Sequence, residues 1–172
     1  LTFAPPGQNL NRFGRRAAVE SDPLIVDVKP LPSEGRPANF NGLIGNYAAR
    51  SSASETRARI GDPIMLYLTV EGPDPIDRVP PPDLNAMPGF ESFRIDPEDT
   101  SVQYLSAARA QAGGVAQALF TYLVRPASEA ITAIPPIELP YFDIEQGAYG
   151  VARTQSIPLE MEASRSVGAA DG

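Results

Sequence analysis

Apolar and polar residues alternate along this chain in short runs, and the period is two rather than three to four. The clearest run is Ile64–Val70, where Ile64, Leu66, Leu68 and Val70 share one face and Met65, Tyr67 and Thr69 the other. Both faces carry large or β-branched side chains, so the pattern predicts a strand buried on both sides. Ala116–Val124 is the second strong strand, with Ala118, Phe120, Tyr122 and Val124 in line. Weaker alternation predicts strands at Pro23–Val28, Phe90–Ile95, Val102–Ala108, Ala130–Ile134, Ile137–Phe142, Tyr149–Arg153 and Ile157–Met161, with another short one near Leu10–Arg16. Within Phe90–Ile95 the alternation sets Phe90, Ser92 and Arg94 against Glu91, Phe93 and Ile95. Gly42–Arg59 reads as one strand or as a broken pair of edge strands.

Turn chemistry separates these runs. Gly61-Asp62-Pro63, Met87-Pro88-Gly89, Asp96–Thr100 and Asp143–Gly147 are the strongest signals. Ala107–Ala118 is alanine-rich, as a helix would be, but Gly113-Gly114 in its middle predicts a hairpin turn. Short strands with turns roughly every 8 to 12 residues predict an all-β fold, an immunoglobulin-like antiparallel β-sandwich of about 7–9 strands. The tryptophan and disulfide of antibody domains are missing, so this is the generic form.

An aromatic-glycine pair followed by a polar stretch, a proline and an apolar strand occurs twice, at Phe13-Gly14 to Pro23-Leu24 and at Tyr149-Gly150 to Pro158-Leu159. The repeat divides the chain into four parts. Residues 1–31 are the closing hairpin of a preceding domain, 32–37 a proline-rich hinge, 38–163 a complete sandwich and 164–172 a flexible tail. Proline fixes φ, so the hinge is expected to be stiff. The chain begins without methionine, as an excised fragment would.

Composition narrows the chemistry. Nineteen prolines and fourteen glycines oppose long helices. A net charge of −7 repels phosphate backbones, so nucleic-acid binding is not expected. Lys29 is the only lysine among fourteen basic residues, and there is neither cysteine nor histidine. Thiol nucleophiles and zinc–thiolate sites are thereby excluded, and the commonest general base and metal ligand are lost. No apolar run reaches the roughly 18 residues needed to cross a bilayer, and the N-terminus is not a signal peptide. These features point to a non-catalytic binding module without a cofactor. An enzyme would need two converging carboxylates, as in a glycosidase.

The loop from Asp77 to Phe90 combines prolines with apolar residues. A rigid apolar loop loses little entropy on docking, which makes Val79, Asp83, Leu84 and Met87 the candidate partner-binding residues. The opposing expectation is that Leu84 and Phe90 tuck over the end of the sandwich. The acidic turns Asp96, Glu98, Asp99 and Asp143, Glu145 are candidates for Ca²⁺, but neither follows a calcium-loop pattern, and no metal is expected. Tyr141, Phe142 and Tyr149 suggest a sugar-stacking platform, but neighbouring strand residues point to opposite faces, which favours core packing.

Several of these segments, in this order, resemble the BatD family of bacterial aerotolerance proteins. They are Arg59-Ile60-Gly61-Asp62-Pro63-Ile64 with Leu66, Leu68, Val70 and Gly72; Val79-Pro80-Pro81-Pro82-Asp83-Leu84; Met87-Pro88-Gly89-Phe90; Arg125-Pro126; Ile134-Pro135-Pro136-Ile137; and Tyr141-Phe142-Asp143. The hinge Val28-Lys29-Pro30-Leu31-Pro32, leading to Phe40, Gly42 and Ile44-Gly45, fits as well. The resemblance covers most of residues 24–161. It implies immunoglobulin-like repeats on the periplasmic face of the inner membrane, held by an anchor outside this fragment. It also implies protein partners of the von Willebrand A type working with MoxR-type ATPases in stress tolerance or complex assembly. The resemblance carries no catalytic residues. On it, Asp83 or another exposed carboxylate would complete the metal site of a von Willebrand A partner. The alternative expectation is a carbohydrate-binding or adhesin-like sandwich.

Overall fold

A computed structural model of the chain describes residues 28–108 and 115–163. The chain divides into two compact units, Leu1–Leu31 and Pro32–Gly172, and every strand described lies in the second. The expected hairpin of residues 1–31, the Gly113-Gly114 turn and the tail 164–172 lie outside the described residues, save for Val28 to Leu31.

The fold is all-β and sandwich-like, with a five-stranded sheet as its larger layer. Two long strands form the centre of that sheet: β3, Ile64–Gly72, and β6, Ala116–Pro126. They pair antiparallel along nine residues, setting Ile64 against Val124, Leu66 against Tyr122, Leu68 against Phe120 and Val70 against Ala118. Partners in a ladder point to the same side, so the period-two pattern of each strand becomes one continuous apolar face. Ile64, Leu66, Leu68, Val70, Ala118 and Val124 are wholly inaccessible. Strand β1, Ala48–Ala53, flanks β3. Strands β4, Phe93–Ile95, and β5, Ser101–Leu105, both pair with β6, at different stretches of it.

The second layer is a patchwork of two-stranded pieces. Its one regular hairpin joins β8, Glu138–Asp143, to β9, Ala148–Arg153. The rest are ladders two residues long. Strand β2, Arg57–Ala58, pairs with β11, Glu160–Met161, and β7, Ala133–Ile134, pairs with β10, Ile157–Pro158. Ile134, Ile137, Leu139, Ala152 and Leu159 from this layer join the same core cluster as the central sheet. The prolines explain the fragmentation, since each removes a ladder donor.

Three expectations change. First, the far face of β3 is not buried: Met65 and Thr69 are half-covered and Tyr67 is 43% exposed. An antiparallel sheet packed on one side leaves its other face to water. Second, Phe90 and Phe93 do not lie on opposite faces of one strand. A 3-10 turn over Phe90–Ser92 precedes β4 and brings both rings into the core, 5.9 Å apart. Third, the sandwich is not wholly antiparallel, because β2 and β11 run parallel. Gly42–Arg59 is the broken pair, with β1 and β2 in different layers.

Candidate functional site

The connection between β3 and β4 carries all four candidate partner-binding residues, and its backbone explains where each one goes. Three 3-10 turns, Ile76–Arg78, Leu84–Ala86 and Phe90–Ser92, fold it against the sheet. Prolines 80 to 82 have no N–H with which to pair, so groups from elsewhere must tie this stretch down through its carbonyls. Two tyrosines do so. The Tyr104 phenol donates to the Val79 carbonyl at 3.0 Å, and the Tyr122 phenol donates to the Pro82 carbonyl at 2.9 Å. Burial pushes the Tyr122 phenol well above its ordinary pKa of 10.0, with the neighbouring Asp83 charge adding to it. A phenol held neutral keeps its proton for the Pro82 carbonyl.

That anchoring settles the placement of Val79 and Leu84. Val79 is 0% and Leu84 1% exposed, so neither offers a surface to a partner, and the docking expectation is corrected for both. Each side chain fills the core, which stabilises the fold by roughly 1.5–3 kcal/mol apiece. Asp83 is exposed, and its Oδ1 accepts the Asn85 N–H at 3.0 Å, capping a 3-10 turn. Met87 is half-buried and lines an open groove, whereas Asp83 and Leu84 line a separate hollow with Pro82, Ile95 and Pro97.

The groove has a volume of about 410 Å³ and forms where Met87-Pro88-Gly89 meets Pro135-Pro136. Asn39 also lines it, as do Glu138 and Arg153. Those two are register partners across β8 and β9, joined by an ion pair of 3.3 Å. The approach of the two proline loops requires glycine. Gly89 has φ of +90°, and a Cβ there would lie 2.9 Å from Pro135 Cγ. The lining is therefore mostly ring carbons and a thioether on a stiff backbone, with one charge pair among them. Such a surface binds an apolar side chain with little loss of its own entropy.

Met87-Pro88-Gly89 stands out in the sequence as a turn signal and Pro135-Pro136 as a proline pair, but about forty-five residues separate them, and nothing local says that they meet. Pro135, Pro136, Glu138 and Arg153 were not among the candidate residues. The only available signal was the pair of proline motifs.

The acidic turns serve the backbone. Asp96 accepts the Glu98 N–H at 3.0 Å, and the buried Asp143 accepts those of Glu145 and Gln146 at 2.9 and 3.1 Å. Among the described residues no three acidic side chains are grouped to hold a metal. The aromatic residues form no shared platform either. Phe40, Tyr149 and Phe142 pack edge-on at 5.1 and 5.0 Å, while Tyr141 leans on Tyr47. The exposed Tyr67 and Tyr104 lie on opposite faces of the five-stranded sheet.

No family model matches this chain, and no curated protein or solved structure is significantly similar to it.

Proposed function

We propose that the chain is a non-catalytic protein-binding module of a BatD-like, membrane-anchored envelope protein. On this reading it is an immunoglobulin-like sandwich on the periplasmic face of the inner membrane. There it works with von Willebrand A domain proteins and a MoxR-type ATPase in stress tolerance or complex assembly. One observation carries the binding role: two motifs of the resemblance, Met87–Phe90 and Ile134–Ile137, converge on one stiff apolar groove. Asp83 supports a metal-linked contact, because capping occupies Oδ1 and leaves the exposed carboxylate its other oxygen.

The test is an affinity pull-down from bacterial envelope extract with the wild-type chain, Pro88→Asp and Asp83→Asn, with and without Mg²⁺. Pro88 is exposed, so a charge there alters the groove and spares the core. Asparagine caps as well as aspartate and removes only the charge. The expected result is recovery of von Willebrand A proteins by the wild type, reduced about tenfold by Pro88→Asp. Loss in the absence of Mg²⁺, and with Asp83→Asn, marks the carboxylate as a ligand. Recovery of no von Willebrand A protein, or equal recovery by wild type and Pro88→Asp, overturns the reading.

A further inference from the structure

The outer face of the five-stranded sheet holds a feature that folding alone does not favour. Arg94 in β4 and Arg125 in β6 are register partners, so two like charges stand directly opposite one another on the same face. Such a pair is destabilising by a few tenths of a kcal/mol or more, unless something neutralises it. The four ion pairs among the described residues use Arg50, Arg57, Arg59 and Arg153 and leave this pair out. Arg125 donates once, to the Gly61 carbonyl at 3.1 Å, and that acceptor is neutral. The chain has a net charge of −7, yet among the described residues no acid lies within ion-pair distance of these two groups.

The surroundings define what fits. A hollow of about 470 Å³ lies against Arg94, Arg125 and Leu123. From it an apolar band runs across the sheet: Met65 lies beside Leu123 in register, Tyr67 follows on β3, and Leu119 follows on β6. Tyr67 is 43% and Leu119 37% exposed. Asp96 and Asp99 also line the hollow, and Asp96 already caps Glu98.

We propose that this face docks a protein segment that carries a carboxylate beside apolar side chains. The carboxylate sits between Arg94 and Arg125, and the apolar groups lie along Leu123, Met65 and Tyr67. Arginine donors match a planar carboxylate in a fork, and a shared anion cancels the repulsion between the two guanidinium groups. Densely charged polymers suit the site poorly, because each further negative charge adds repulsion from an acidic chain while the apolar band goes unused. This surface is separate from the proline-lined groove and does not depend on it.

The probe is a labelled, strand-length peptide of alternating Leu and Glu, with Leu-Gln and Leu-Lys peptides beside it, read by fluorescence anisotropy. Leu-Glu is expected to bind the wild type best, and to weaken as salt screens the charges. Arg94→Glu is expected to cut that binding about tenfold or more, and Tyr67→Ser to weaken it less. Arg94→Glu converts a repelling cross-strand pair into an attracting one, so its melting temperature should equal or exceed that of the wild type. Loss of binding with undiminished stability is thus a result that misfolding does not imitate. The proposal is overturned if Leu-Glu binds no better than Leu-Gln, or if Arg94→Glu leaves the affinity unchanged. Preference for polyphosphate or for phosphatidylglycerol vesicles over the Leu-Glu peptide also overturns it.

Discussion

The two layers of this sandwich solve the same problem in different ways. In the five-stranded sheet, β3 and β6 run side by side for nine residues, and their period-two pattern is itself the packing instruction. In the facing layer, two of the three pairings are two residues long, and the prolines that interrupt them also shape the groove. The sheet supplies stability through continuous burial. The patchwork supplies shape, and it depends on individual polar contacts to stay closed. A regular ladder distributes its energy over many residues, whereas an interrupted one concentrates it in a few.

The largest effect should come from removing a ring at the middle of the sheet. Phe120 is 1% exposed, pairs with Leu68 and Val102, and packs edge-on with Tyr104 at 6.3 Å. Phe120→Ala should cost about 3–5 kcal/mol in urea denaturation, because the long ladder holds the cavity open. The next effect belongs to the patchwork. Thr154 is 3% exposed, its Oγ1 accepts the Ile137 N–H at 2.9 Å, and its own N–H donates to the Ile137 carbonyl at 3.0 Å. Thr154→Val keeps the shape and orphans a buried donor, which costs about 1–3 kcal/mol. The same change at Thr121, on the water-facing side of β6, should stay within about 0.5 kcal/mol. Equal losses at Thr154 and Thr121 would remove the distinction between the layers.

The same difference decides what was legible in the sequence. Ile64–Val70 and Ala116–Val124 announce their inner faces, since alternation is local and the ladder only has to respect it. The second side of β3 was misjudged because Met65, Tyr67 and Thr69 are apolar enough for burial, and sequence does not count layers. Phe90 and Phe93 were misplaced because a three-residue turn changes the period within the segment. Asp83 and Met87 were readable as loop residues near a surface. That Val79 and Leu84 turn inward depends on tyrosine hydroxyls from β5 and β6, and the linear pattern does not encode those contacts. The groove itself is a meeting of two turns from different parts of the chain, enforced by Gly89 against Pro135.

Tyr122 ties the sheet to the proline-rich loop and predicts a pH dependence. Its phenol is held neutral in the fold above the ordinary value of 10.0. The unfolded chain therefore loses this proton first as pH rises. Stability is fully present below about pH 10 and declines at higher pH, since the unfolded state then binds fewer protons than the native one. Tyr122→Phe should cost about 0.5–1.5 kcal/mol at neutral pH by leaving the Pro82 carbonyl without its donor. It should also flatten the alkaline decline in urea midpoints measured from about pH 8 to 11. An alkaline slope identical in wild type and variant would place the loop's anchorage elsewhere.

The smallest effect tests whether charge holds the patchwork shut. Arg57–Glu160 at 2.9 Å and Arg59–Glu162 at 2.8 Å bracket the parallel pairing of β2 and β11. Both pairs stand in solvent, with side chains between 47% and 70% exposed. Beneath them, Glu160 N–H donates to the Thr56 carbonyl at 2.8 Å and Glu162 N–H to that of Ala58 at 2.9 Å, while Ala58 and Leu159 are buried. A double-mutant cycle on Arg59→Gln and Glu162→Gln should return a coupling of about 0.2–1 kcal/mol. That coupling should fade near 1 M salt, where the screening length falls to about 3 Å. A larger coupling that survives salt would mean the ion pairs close this edge. The expected small one leaves closure to two backbone hydrogen bonds and two apolar side chains, as a layer without a continuous ladder requires.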